Sequence, residues 1–344
     1  MHYRFFTSSV KAWQAMLVAI DSAHEHIYLE MYILADDTLG FDFLSALAKK
    51  ASEGVRVHIV LDFIGSFSLA NRAIEGLRES GAEVLFYSYW FKRTHRKILI
   101  IDEQQVFLGG VNISGKSALW RDLQIELRGK RIAQSMIASF ALVYRDAGGK
   151  DPLISAHAKK PPILRRARYW FVEHGVGKKR SALHTYYIDH IDQASKSISL
   201  VTPYFIPHRW LVAHLHAALL RGVRVTITVP RHTDYWIIDR VNQHFLAQAH
   251  NLGAVCLISK AMNHAKAMLI DEKVGLVGSN NLDALSFDWN IEGGIFFDDK
   301  RMTARLGQII HGWEYEAIPF ERTQKPHWYD PLIVLFLGMF RSVL

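Results

Sequence analysis

The chain contains a single cysteine, Cys256, among 344 residues. That excludes intramolecular disulfides and any thiolate cluster around zinc or iron–sulfur. Cys256 sits in the apolar run AVCLIS, so it is expected to be a small buried strand residue. Metal-binding spacings are missing too: there are 18 histidines, yet none falls in HExxH or another close paired-ligand pattern. No segment supplies the roughly 20 apolar residues that cross a bilayer. The start, MHYRFFTSSV, lacks the basic end, long apolar run and small-residue cleavage site of a secretory signal, so a cytosolic compartment is expected. Charged residues make up only 22% of the chain and hydrophobic ones 50%. Such a composition buries a substantial core and is neither disordered nor fibrous.

What charge is present leans one way. A formal charge of +8 and a sequence pI of about 9.4 favour anionic partners: nucleic acid, acidic phospholipid or phosphate esters. The mean hydropathy of +0.03 fits a compact soluble enzyme or one working on a membrane surface.

The sequence repeats itself. AIDSAHEHIYLEMYIL (19–34) answers HIDQASKSISLVTPYFIP (190–207), each a helical start running into a strand. LAKKASEGVRVHIVLD (47–62) answers HAALLRGVRVTITVP (216–230), both carrying Gly-Val-Arg-Val, and SGAEVLFYS (80–88) answers NLGAVCLIS (251–259). Helix, glycine-led turn and β-branched strand is the pattern of an α/β layered domain, and two copies of this length indicate a duplicated domain rather than a solenoid. The expected organisation is a first half over 1–147, a basic linker over 148–183 with its RRAR and KKR runs, a second half over 184–320, and an apolar tail over 321–344. The tail segment PLIVLFLGMF, preceded by Trp328 and Tyr329, reads either as a helix packed on the core or as an interfacial helix.

The chemistry lies in a further repeat. THRKILIIDEQQVFLGGVNIS (94–114) returns as NHAKAMLIDEKVGLVGSNNL (263–282), with His95 and His264 169 residues apart. In an extended strand His95 and Lys97 share a face, as do His264 and Lys266. Asp102 and Asp271 lie an odd number of positions beyond their histidines, which turns them from that face and suits them to anchoring local structure. After each Asp the chain turns at GGVN (109–112) and GSNN (278–281), where glycine lets backbone approach a ligand closely. Asn112 and Asn281 end those turns, where an amide can donate to a phosphate oxygen, and Ser279 adds a hydroxyl that Gly110 lacks.

His-x-Lys-x-x-x-x-Asp followed by Gly-Ser-x-Asn resembles the signature of the phospholipase D superfamily. With WRDL, TPYFIP and NIEGG, the chain is similar to bacterial cardiolipin synthases, specifically the shorter type without N-terminal membrane spans, over residues 12–320. The first copy departs from the pattern only in Gly110 for serine. The resemblance implies an α/β fold of two duplicated α-β-α layered halves about a pseudo-twofold axis, with both His-Lys faces on one cleft. It implies His95, Lys97, Asp102, His264, Lys266 and Asp271 as the catalytic set, with Asn112, Asn281 and Ser279 at the phosphate. One histidine attacks phosphorus and the other is acid and base; by analogy His95 is the nucleophile. No cofactor or metal is implied, since two lysines and two asparagines offset the phosphoryl charge. Carboxylates to orient the histidines are expected from Asp122 in WRDL, with Glu126 of the same strand as the alternative, and from Glu292 in NIEGG.

The implied substrate is an anionic phospholipid, phosphatidylglycerol, met at the cytoplasmic face of the membrane by a peripheral protein. The aromatic stretches YSYWF (87–91) and TPYFIPHRW (202–210) would then line the cleft mouth. A phospholipase D-type hydrolase or a nucleic-acid phosphodiesterase of the same superfamily is the second reading, the latter with the 150–181 segment as its basic groove. A non-enzymatic membrane adaptor is the third, and it requires His95 and His264 to be dispensable.

Overall fold

A computed structural model describes residues 2–88, 92–158, 168–175 and 182–321. The expectations placed on residues 165–167 of the RRAR run, on the KKR run, on residues 89–91 and on the tail beyond Glu321 lie outside the described residues. The first half runs β1 (His2–Ser8), α1 (Ser9–Asp21), β2 (His26–Met31), α2 (Phe43–Ser52), β3 (Arg56–Asp62), α3 (Asn71–Glu79), β4 (Glu83–Tyr87), β5 (Lys97–Ile101), β6 (Gln105–Gly109), β7 (Arg121–Arg128), α4 (Lys130–Asp146) and α5 (Pro152–His157). The second runs β8 (Tyr169–His174), α6 (Ala182–Gln193), β9 (Ser197–Val201), β10 (Phe205–Ile206), α7 (Arg209–Leu220), β11 (Arg224–Pro230), α8 (Trp236–Asn251), β12 (Val255–Ser259), β13 (Ala267–Ile270), β14 (Val274–Gly278), β15 (Leu282–Asp283), β16 (Glu292–Phe297), α9 (Lys300–Glu316) and β17 (Ile318–Pro319).

Besides a two-stranded β10–β15 pair, the two large sheets have one topology. The first is ordered β1-β7-β6-β5-β2-β3-β4; the second is β8-β16-β14-β13-β9-β11-β12, with β17 added at its edge. In each, three strands are parallel (β2, β3, β4; β9, β11, β12) and the rest antiparallel. β2, β3, β9 and β11 are buried on both faces over most of their length, while the outer strands β4 and β12 are partly exposed. Cys256 is buried on β12 as expected, its thiol pushed up to about 12 by burial.

The segment 148–183 is not wholly a linker. Tyr169–His174 forms β8, which pairs antiparallel with β16 from Glu292↔His174 to Phe297↔Tyr169. It extends the sheet of the second half, so part of the stretch expected to connect the halves belongs to that sheet. β8 matches β1 of the first half, which pairs with β7 in the same way.

Three apolar clusters stack across the molecule. One lies under α1–α3 in the first half and another under α6–α8 in the second. The third contains residues of both halves, Ile98, Phe140, Ala265, Phe297 and Trp313 among them, with α4 and α9 between the sheets. The two halves therefore share one interior.

Candidate active site

The ends of the parallel strands place the site. β5 runs antiparallel to β2, so the residues just before it lie where the parallel strands finish, and the same holds for β13 beside β9. At this end each half reaches into the other. The His95 amide donates to the Ile291 carbonyl at 2.9 Å, and the Ile291 amide to Arg93 at 2.7 Å; the His264 amide donates to Arg121 at 2.7 Å, and the Arg121 amide to Met262 at 3.0 Å. These are isolated parallel bridges, Thr94↔Ile291 and Arg121↔Asn263. Each puts a histidine beside the residue preceding a carboxylate of the opposite half.

The carboxylates are accordingly exchanged. His95 Nδ1 meets Glu292 Oε1 at 2.9 Å, and His264 Nδ1 meets Asp122 Oδ2 at 2.8 Å. Asp122, not Glu126, is the partner; Glu126 sits on the far part of β7, accepting from Gln105 and Arg128. Both carboxylates are fully buried and both histidines nearly so. Burial alone would raise the Glu292 carboxyl, but His95, Lys97 and Ser279 outweigh it and hold it at about 2. An ionised Glu292 only accepts, so the His95 proton sits on Nδ1 and the Nε2 lone pair is free. Burial drives His95 below its ordinary value, with Lys97 and Lys266 adding to it and Glu292 opposing. Burial, reinforced by Lys266, lowers His264 to about 4.

Lys97 and Lys266 behave as a pair. Each ammonium donates to the carbonyl of its own histidine at 2.5 Å, and Lys97 Nζ lies 4.9 Å from the centre of the Tyr32 ring. Burial lowers Lys97 to about 7 and Lys266 to about 8, against the pull of Glu292 and Asp122. Each lysine acts on the histidine of the other half, which brings the two motifs into one electrostatic neighbourhood. Sterics agree: a Cβ on Gly110 would lie 3.1 Å from the His264 carbonyl and 2.1 Å from Asp122 Oδ1. Glycine replaces serine there because the Asp122 carboxylate fills that space.

Asn112 and Asn281 are buried at the same end, and the Oδ1 of each, an acceptor, has no partner among the described residues, as is also true of Asn263 Nδ2 and Asn280 Oδ1 beside them. Ser279 departs from expectation. Its hydroxyl donates to Glu292 Oε2 and accepts from the Gly293 amide at 3.1 Å, so it has no proton for a phosphoryl oxygen and serves the carboxylate instead.

Asp102 and Asp271, grouped with the catalytic set by resemblance, are not with the histidines. Each opens the hairpin at the opposite end of its strand, where Asp102 and Glu103 have φ 48° and 52°, and Asp271 and Glu272 have φ 52° and 56°. Paired left-handed residues make the tight turn that suits antiparallel strands. The Asp102 carboxylate accepts from the amides of His24, Glu25 and His26 at 2.8–3.2 Å, and Asp271 accepts from those of Ser195, Lys196 and Ser197 at 2.7–2.9 Å. Both lie beyond their strands, so their place in the hairpin at the far end, and not strand parity, separates them from the His-Lys face.

Several residues around the site carry no motif signal in the sequence. Arg96, fully buried, gives Nε and Nη2 to Glu30 at 2.9 and 2.5 Å and Nη1 to Ser139 at 2.5 Å. Thr94 Oγ1 also donates to Glu30. A lone carboxylate inside the apolar strand HIYLEM was the signal available. Tyr32 packs edge-on to His95 at 4.6 Å between ring centres, and Trp120 lies 5.1 Å from His264. Asp283 is buried behind Asn281 and pushed up to about 6 by burial, its Oδ1 accepting from the Ser286 amide at 2.7 Å. Of the TPYFIP aromatics, Phe205 enters the core while the Tyr204 hydroxyl donates to Asp234 at 2.5 Å. Among the described residues no group of three or more His, Cys, Asp or Glu is arranged to hold a metal.

Comparison with known proteins follows the same lines. Residues 16–143 and 187–313 match the family described as "Cardiolipin synthase, PLD-like domain". The chain is 30% identical to cardiolipin synthase 2 of Bacillus anthracis, over 89% of this chain and 63% of the relative. It is 30% identical to the major cardiolipin synthase of Bacillus subtilis, over 92% of this chain and 70% of the relative. The chain thus spans less than two thirds of the Bacillus anthracis protein's length. Among solved structures, a phosphatidylserine synthase from Haemophilus influenzae Rd KW20 shares the fold with a TM-score of 0.77 at 16% identity, over 99% of this chain and 93% of that one. Both copies of the motif fall inside the matched family segments, and the chain belongs to the cardiolipin synthase, phospholipase D-like family.

Proposed function

We propose that the chain is a cardiolipin synthase-type phosphatidyltransferase, moving a phosphatidyl group from phosphatidylglycerol to the alcohol of a second phospholipid at a membrane surface. The observation that carries this reading is the exchange of carboxylates between the halves, His95 with Glu292 and His264 with Asp122. It leaves two oriented imidazoles and two buried ammonium groups in one neighbourhood. The lipid substrate is supported by the printed names of the relatives.

In the first step His95 Nε2 attacks phosphorus, the bond to the glycerol oxygen breaks, and His264 gives that oxygen its proton. In the second, His264 takes the proton of the incoming lipid hydroxyl, whose oxygen displaces His95 from phosphorus. Assigning attack to His95 is supported by Glu292, an anion held by a serine hydroxyl as well as by the imidazole, which offsets the positive charge of a phosphoimidazolium. Burial keeps His264 neutral in the free protein. A phosphodiester anion between Lys97 and Lys266 offsets the charges that help depress it, so His264 takes up its proton as substrate binds. Asn112 and Asn281 face the phosphoryl oxygens with their amide groups, and the burial of every participant disfavours water as acceptor.

The test is turnover of phosphatidylglycerol by purified protein in detergent with chelator present. Release of glycerol with formation of cardiolipin is expected, and its loss in His95→Ala and in His264→Ala. Cleavage of single-stranded DNA without lipid product would replace this reading with the nucleic-acid one, and unchanged function in both variants would leave only the adaptor.

A further inference from the structure

Exposed apolar side chains concentrate around the mouth of the site. The loop after β3 exposes Phe63, Ile64 and Phe67, with Phe67 78% exposed. The loop after β11, its counterpart in the second half, passes into α8 through Tyr235, Trp236 and Ile237, with Trp236 64% exposed. Both leave the ends of parallel strands, the same end as His95 and His264. The connections that follow the asparagine-bearing turns add one leucine each, Leu119 between β6 and β7 at 92% exposed and Leu285 after β15 at 57%. An isolated exposed leucine needs no explanation, but matched clusters on both sides of one cleft do.

We propose that these two clusters are the membrane-docking surface, and that they dip into a phospholipid leaflet with the cleft mouth between them facing the lipid. The inference rests on the lipid-transfer reading and adds to it where the bilayer touches the protein. Three observations favour a bilayer over a second copy or another protein. The clusters are separate and straddle the cleft, so a protein seated across both would cover the entrance a lipid must use. Their composition is that of an interfacial anchor, with Tyr235 and Trp236 suited to headgroup depth and Phe63, Ile64 and Phe67 to the acyl boundary. Phe63 is set in place by edge contacts with Phe67 and Phe86 at 6.4 and 6.2 Å, so the cluster is preformed.

Charge is secondary. Arg231 and Lys260 are exposed where β11 and β12 end, while Asp36 and Asp37 are exposed on the first-half side. Lys116 is spoken for, 3.6 Å from Asp234 and 5.4 Å from the Tyr235 ring centre. Apolar insertion is therefore the main contribution, with modest preference for anionic lipid.

The experiment is flotation of the full chain with vesicles of equal parts phosphatidylglycerol and phosphatidylcholine, beside turnover of a short-chain phosphatidylglycerol below its micellar concentration. Phe67→Ser and Trp236→Ser, made separately in two different loops, are each expected to weaken vesicle binding at least tenfold and to leave turnover of the monomeric substrate within twofold. Undiminished flotation of both variants would overturn the proposal and would assign membrane contact to another segment. A wild-type dimer that either substitution converts to monomer, with flotation unchanged, would overturn it in favour of a second copy. Wild-type protein that floats through these loops yet turns over no lipid would leave the docking surface standing and remove the transfer reading.

Discussion

At the scale of single residues, the site works through burial and exchange. Glu292 fixes the tautomer of His95 across the boundary between halves. Glu292→Gln keeps the shape but removes the anion, and is expected to lower kcat by about 10²–10⁴-fold, as wrong-tautomer substitutions do in other nucleophile–base systems. Ser279→Ala should cost less, about tenfold, because it removes only the hydroxyl that holds the carboxylate. The lysines set the pH response. Lys97 at about 7 and Lys266 at about 8 lie below the ordinary amine value because burial disfavours the charged form. Their positive charge is present below those values and lost as pH rises through them, so kcat/KM should fall between pH 7 and pH 9. A pH profile that is flat or rising across that window would separate the lysines from substrate charge. The HxK pairs were legible from the sequence because they repeat. Their carboxylate partners were legible as residues but not as pairs, since contacts between positions 95 and 292, or 122 and 264, leave no trace in local spacing.

At the scale of elements, the two strands that open with the motif are pinned at both ends. At the hairpin end Asp102 accepts three backbone amides, and those of its counterpart Asp271 are matched nearly atom for atom. Asp102→Asn retains tolerance of the left-handed conformation but weakens the charged hydrogen bonds. It should lower stability by about 1–3 kcal/mol in urea unfolding while the folded protein keeps turnover within tenfold; activity lost as fully as in His95→Ala would return Asp102 to the chemistry. At the site end Arg96 ties β5 to Glu30 on β2 and to Ser139 on α4. Arg96→Met strands a buried carboxylate and is expected to cost about 3–5 kcal/mol in the same measurement. This explains why a buried strand follows His-Arg-Lys: the outer two side chains face the site while the middle one enters a buried ion pair. Elements with clear periodicity and glycine-led turns were readable in advance. β8 was not, because its six residues, YWFVEH, lie between basic runs that read as linker, and pairing with β16 makes them a strand.

At the scale of the whole molecule, duplication builds one unit from two. The central apolar cluster draws on both halves, and each half completes the other's dyad. Heating should therefore give one calorimetric transition whose enthalpy equals the van't Hoff value; two separated transitions would mean that the halves fold independently. The sequence made the two-half α/β architecture legible, because matching segments recur in order, but the crossing of partners depends on how the halves are laid together. The central claim is that both halves act on one phosphorus atom, with His95 attacking it. The most direct measurement is mass spectrometry of protein quenched during turnover of phosphatidylglycerol, mapping any phosphatidyl adduct to its residue. The account predicts an adduct on His95, absent in His95→Ala and trapped in larger amount when the acceptor alcohol is withheld. An adduct on another residue, or turnover at full rate with no adduct on either histidine, would contradict it.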